Sequence, residues 1–281
     1  MPLLIVAAIA LLVIAALVLQ PYLAERRRRR SRARPFPPEW DRILARRVPQ
    51  YARLPAELQA QLRAHILAFL GEKSFVGCGG LEIDDEVRVT IAAQACLLLL
   101  NRKTHYFPRL AQILVYPGAF VVERIRAEPS GVLQEQRNVL SGESWTHGQV
   151  ILSWEDVLEG AAVPDDGRNV VIHEFAHQLD QEKGYANGAP FLGSRERYAD
   201  WSRVMTIEFA RLRERIMLGE PVLINPYGAT DPAEFFAVSS EVFFEQPRRM
   251  ASEHPDLYRE LRTLYRVDPA SWPQDPLPGP A

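Results

Sequence analysis

Hydrophobic and polar positions divide the chain into two unlike parts. Residues 3–19 are 17 consecutive Leu, Ile, Val or Ala. At about 1.5 Å per residue, a helix of that run just reaches the length that crosses a bilayer. Further on, apolar residues recur with the spacings of a globular body. Leu58, Leu62, Ile66 and Leu67 fall at helical intervals within 55–69, with Pro55 tolerated in a first turn. Residues 87–100 are apolar except around Arg88, Thr90 and Gln94, which predicts a helix buried on most sides. Short strands are predicted over 113–116 and 120–122, on either side of the Pro117-Gly118 turn, and over 149–154. Helices are then predicted over 168–180, 194–217, 231–245 and 256–265. Strands grouped first with helices around them indicate an α+β domain with a small sheet.

Charge sharpens this division. The formal net charge of -2 averages two opposite segments. Residues 1–35 hold seven arginines (26–30, 32 and 34) and one acid, Glu25, which leaves 26 basic against 34 acidic residues and a net charge of -8 elsewhere. An acidic body argues against direct nucleic-acid binding, which needs a basic face. The two cysteines, Cys78 and Cys96, are too few for a disulfide framework or a cysteine metal site.

A cleaved signal peptide carries positive charge before its apolar run and a small-residue cleavage site after it. Here the arginines follow the run, and Gln20-Pro21-Tyr22-Leu23 is a poor cleavage site. The pattern predicts an uncleaved single-pass anchor in the cytoplasmic membrane, with the arginines and everything after them in the cytoplasm. The arginines can also lie on anionic headgroups. The expected organisation is an anchor at 1–20, a basic and proline-rich linker at 21–39, one domain at 40–275 and a tail at 276–281.

Candidate chemistry is concentrated at 173–177, His-Glu-Phe-Ala-His. Histidines four apart on a helix lie one above the other and can grip one ion, with the intervening glutamate placed to deprotonate a water. A catalytic zinc site needs a third protein ligand. The metzincin continuation would require Gly at 180 and His at 183, where the chain has Asp180 and Lys183. The third ligand is therefore expected from farther on, as a carboxylate. Asp231-Pro-Ala-Glu234 opens a helix, and Glu234 is its first inward candidate. It is also the N3 position of a capping box with Asp231. Glu241 lies on nearly the same helix face, and the residues alone leave the two open.

HEFAHQLD at 173–180, the stretch from Tyr227 through Asp231-Pro-Ala-Glu234 to Glu241, and Gly80-Leu-Glu-Ile-Asp-Asp together resemble the Mlc titration factor A family of zinc peptidases. The likeness runs from about Trp40 to Pro273. It implies a zincin-like metallopeptidase domain, similar in its core to that of anthrax lethal factor, here preceded by a transmembrane helix. It implies Zn2+ held by His173, His177 and Glu234, with Glu174 as general base. It also implies that Tyr227 donates to the oxyanion formed on the peptide carbonyl. Peptides or proteins are the implied substrates, with aminopeptidase cleavage one form of the activity. A second reading from the same resemblance is a regulatory protein that sequesters a transcriptional repressor. The best-known members are soluble, so the anchor is a departure.

Lesser candidates have plainer alternatives. Asp180 can orient a ligand histidine from behind, or cap a helix, or make a surface ion pair. Glu241 can support His173 or His177, or serve packing alone. His65 reads as packing, and His105, His147 and His254 fall in loops. The strand at 149–154 is either an edge to which an extended peptide adds or ordinary sheet.

Overall fold

The computed structural model describes residues 2–103, 105–127, 133–140, 142–145 and 148–273. The expected tail at 276–281 and His147 lie outside them. Helix α1 (Pro2–Arg32) is followed by α2 (Pro38–Arg47), α3 (Pro49–Arg53), α4 (Ala56–Leu70), β1 (Ser74–Gly77) and α5 (Asp85–Leu97). Next come β2 (Gln112–Tyr116), β3 (Phe120–Ala127), β4 (Leu133–Leu140), β5 (Gly142–Trp145) and β6 (Gln149–Ser153). The chain continues as α6 (Trp154–Ala162), α7 (Val170–Asp180), α8 (Arg195–Met217), α9 (Pro232–Glu245), α10 (Pro247–Glu253) and α11 (Pro255–Tyr265).

Local sequence explains many of the boundaries. Asp84, Ser153, Asn169, Ser194 and Asp231 each accept a backbone N–H from the first turn of the helix they precede. Pro38, Pro232, Pro247 and Pro255 open their helices, where a missing N–H costs nothing.

The main sheet has the order β1-β2-β6-β5. The first three strands are parallel and β5 is antiparallel to β6. A parallel pair needs a crossover, and α5 supplies it between β1 and β2. β3 pairs with β4 in a separate ribbon, so the two strands flanking Pro117-Gly118 belong to different sheets. The expected small sheet among helices is present, and its strands are mostly parallel. β6 pairs on both sides, with β2 and with β5, so strand 149–154 is not the edge to which a peptide could add. The outer position beside α7 belongs to β5.

Helix α5 is buried on nearly every side, as its apolar run predicts. It packs against α4 and α7 in one continuous core. Phe175 of α7 stacks within 5.7 Å of Phe69 and 4.8 Å of Phe107 between ring centroids, which seats the helix from below. On α9, Phe243 and Phe244 meet Tyr265 at 5.4 and 5.0 Å. The Tyr265 hydroxyl also lies 2.7 Å from Ser240 Oγ.

Helix α1 runs past residue 20 and through Pro21 to Arg32, where a linker is expected. Arginine is a good helix former, and cations at a helix C-terminus interact favourably with its dipole. Glu25 adds ion pairs to Arg29 (3.4 Å) and Arg32 (2.7 Å). Only 33–37 separates α1 from α2. Among the described residues α1 is also the one helix long and apolar enough to cross a membrane.

Candidate metal centre

Helix α7 places His173 and His177 one turn apart, and its start is fixed by Asn169. The Asn169 side chain accepts from Ile172 N at 3.0 Å. Its backbone N–H donates to Glu241 Oε2 at 2.5 Å, and its Nδ2 donates to Gln94 Oε1 at 2.8 Å and Glu245 Oε1 at 3.1 Å. One capping residue therefore ties α7 to α5 and α9.

From α9, Glu234 reaches across to the histidines. Asp231 caps the helix by accepting from Ala233 N (2.8 Å) and Glu234 N (3.0 Å). The Glu234 carboxylate points elsewhere, with Oε2 lying 3.1 Å from His173 Nε2 and 3.5 Å from His177 Nε2. The two Nε2 atoms are 3.2 Å apart. Donors about 2.0–2.1 Å from one tetrahedral ion would stand about 3.3–3.4 Å from one another, close to all three separations. Two imidazoles and a carboxylate are also the donor set that suits zinc. The residues present fit the ion.

Glu241 lies behind His173, whose Nδ1 donates to Glu241 Oε1 at 2.8 Å. With an ion bound, that bond would leave the Nε2 lone pair for the metal. Burial disfavours a charged His173, but hydrogen bonds to Glu234 and Glu241 outweigh it and raise its pKa. Burial likewise works against an ionised Glu234, and hydrogen bonds from His173 and His177 reverse this, holding its carboxyl well below the usual range. Glu174 is buried beside them, and its Oε2 has no hydrogen-bond partner among the described residues. Desolvation raises its carboxyl, against the lowering pull of the two histidines.

His173, Glu174, Tyr227 and Glu241 line one cleft of about 450 Å³. Tyr227 stands in a short 3-10 turn, Pro226–Ala229, that leads into α9. Its ring centroid is 6.1 Å from that of His173, and the residue is 54% exposed.

Asp180 does none of the three things expected of it. Its carboxylate accepts the backbone N–H groups of Asn187 (2.7 Å), Gly188 (2.6 Å) and Ala189 (3.0 Å), all from a buried position. Gly188 has a φ of +77°, and a Cβ there would sit 2.3 Å from the Pro232 carbonyl oxygen. Asp180 thus holds a loop against the first turn of α9, two residues before Glu234. His65, His105 and His254 are not among the described residues that line the cleft. His65 is packed with Nδ1 2.8 Å from the Tyr106 hydroxyl, and His254 donates through Nδ1 to buried Glu208 at 2.6 Å. His105 meets Arg28.

Asn169, Gln94 and Glu245 are the supporting residues that sequence reasoning missed. An Asn directly before an apolar helical run is an N-cap signal, and Gln94 is a lone amide in an apolar helix. Their meeting is a tertiary event with no local signature.

The sequence is similar to those of known proteins over most of its length. Residues 23–266 match the family model described as glucose-regulated metallo-peptidase M90. An uncharacterized protein of Synechocystis sp. is 42% identical over 270 residues, 96% of this chain and 98% of its own. Mlc titration factor A of Salmonella agona is 37% identical over 234 residues, covering 82% of this chain and 86% of that protein. The Salmonella typhimurium protein of the same name is 36% identical over the same length. With its family model spanning most of the sequence and these relatives covering four-fifths or more of it, the chain belongs to the M90 metallopeptidases, the family of Mlc titration factor A.

Proposed function

We propose that this protein is a zinc-dependent peptidase with a zincin-like domain, carried on a single membrane helix. The observation that carries the reading is the convergence of His173 Nε2, His177 Nε2 and a Glu234 carboxylate oxygen, all within 4.8 Å of one another, beside a buried Glu174. These three residues would hold the ion. Bound there, zinc supplies Lewis-acid polarisation of the scissile carbonyl and the attacking water.

The chain's own residues do the rest. Glu174 takes the proton from the attacking water and returns it to the leaving amine, and its raised pKa suits both transfers. Tyr227 donates its phenol hydrogen to the oxyanion as charge develops on the carbonyl oxygen. Glu241 keeps the His173 ring oriented through Nδ1. An extended peptide would add along β5, the outer strand beside α7. The anchor at 1–20 places the peptidase domain, 40–275, on the cytoplasmic side of the membrane, because five consecutive arginines follow the apolar run.

The relatives' name supports a second reading, that of a protein which binds and sequesters a transcriptional repressor. The two readings can coexist, but a binding module has no use for a buried glutamate beside the histidines. Full-length protein in detergent, incubated with a peptide library with and without a chelator, tests the choice. Chelator-sensitive cleavage, with aminopeptidase action read as release of the first residue, supports the peptidase. Tyr227→Phe should keep its metal and lose about 10²–10³ in kcat with little change in KM. No cleavage in the whole library, together with tight binding of a repressor, would favour the second reading.

A further inference from the structure

A second cavity, of about 420 Å³, is separate in its lining from the cleft at the histidines. Four cationic side chains, Arg102, Lys103, Arg197 and Arg266, surround it, and no carboxylate is among its described lining residues. Thr263 and the backbone around Gly193 add small polar groups to the same wall. Arg197 is already satisfied by Glu260 at 2.9 Å. Arg102 is not, because its Nη1 is buried without a hydrogen-bond partner among the described residues. Guanidinium groups kept out of water normally face an anion or a carbonyl.

The cavity's walls are held together by specific contacts. Asn101 and Arg266 both adopt left-handed backbone, at φ of 56° and 58°. Asn101 Nδ2 donates to the Arg266 carbonyl at 3.1 Å, and Asn101 N donates to Gln61 Oε1 at 2.7 Å. These bonds keep Arg102 and Arg266 on facing loops. Burial and the nearby Arg266 both disfavour charge on Arg102, against support from Tyr265 and Glu182. Such crowding of like charge is relieved by a multiply charged oxyanion, and a single carboxylate would leave most of it in place.

We propose that this cavity is a phosphate-binding site, taking a phosphate group carried by a small soluble ester or by a lipid headgroup. The rest of such a ligand has room beside Phe191 and Leu192. Phe191 and Leu192 follow, after Pro190, on the 187–189 loop that Asp180 holds against α9. A bound phosphate therefore braces the far end of the segment that supports Glu234.

Titration calorimetry with inorganic pyrophosphate tests this on the full chain in non-ionic detergent micelles. The protein is first stripped of metal, so that the histidine site takes no part. One saturable site per chain is expected. Arg102→Gln, and separately the surface pair Lys103→Gln with Arg266→Gln, should each weaken binding about ten-fold or more. Arg203→Gln, which removes one positive charge elsewhere as Arg102→Gln does, should leave it unchanged. The surface pair gives the same readout if Arg102→Gln fails to fold. Competition by added phosphatidylglycerol would identify a lipid headgroup as the source, and indifference to it a soluble phosphate. No saturable binding, or binding that survives both sets of variants, would overturn the site.

Discussion

At the residue scale, Glu234 and Glu241 occupy nearly the same face of α9 and do different things. Glu234 lies against both Nε2 atoms, whereas Glu241 lies behind His173 and accepts from Asn169 as well. Glu234→Ala should therefore abolish stoichiometric zinc, while Glu241→Ala should keep it with affinity or activity reduced about 10–100-fold. Metal analysis of the two purified variants decides, and the reverse pattern would exchange their roles. His65 offers a test of the core. Burial, aided by Arg32, lowers its pKa to about 4, from an ordinary value near 6.5. The folded state thus binds fewer protons than the unfolded one between those values. Stability is fully present above pH 6.5 and lost as pH falls toward 4, by about 3 kcal/mol in total. Denaturant titrations should show that slope in wild type and a flatter one in His65→Gln. Equal slopes would mean that the ring titrates normally. The candidate site on α7 is legible in the sequence because the spacing of His173, Glu174 and His177 is itself helical geometry. Choosing between Glu234 and Glu241 is not, since both satisfy the same periodicity and only the crossing of two helices separates them.

At the scale of elements, the position of α9 depends on the loop at 187–189. Gly188 leaves no room for a Cβ against the Pro232 carbonyl, and its φ is one that other residues rarely adopt. Gly188→Ala should cost about 1–3 kcal/mol and lower the Tm by several degrees. It should also weaken metal binding with every candidate ligand intact, because the start of α9 must move. Thermal unfolding of apo and zinc-loaded protein measures both effects. A stability loss with unchanged zinc affinity would separate the loop from Glu234. Most long helices were predictable from caps, prolines and apolar periodicity, and α7, α8, α9 and α11 lie within two residues of their expected bounds. Strand pairing was not. The run 149–154 looks alike as an edge or an interior strand, since its neighbours β2 and β5 are chosen by tertiary contacts.

At the scale of the whole molecule, α1 is docked on the body. Arg28 is largely buried and donates to Glu72 through Nε (2.5 Å) and Nη2 (3.2 Å). Its Nη2 also donates to the His105 carbonyl at 3.1 Å, and its guanidinium lies 5.4 Å from the Tyr106 ring centroid. Arg26, Arg27, Arg29 and Arg30 remain exposed. A helix bonded in this way turns with the domain it carries. Arg28→Ala should free the short 33–37 connection to limited proteolysis without reducing peptide hydrolysis. An unchanged digestion pattern would mean that the remaining contacts of α1 with α4 suffice. The arginine run predicts topology in the sequence, but this bond belongs to residues 44 positions apart and is invisible to any local pattern.

In the proposed mechanism Glu174 moves protons beside an ion held by other residues. The most direct test is the rate of peptide hydrolysis by full-length Glu174→Gln and wild type at equal measured zinc content. The amide cannot accept the proton, so the variant should carry as much zinc as wild type and lose nearly all hydrolysis. A variant that hydrolyses peptide at the wild-type rate with its zinc in place would show that Glu174 is not the base.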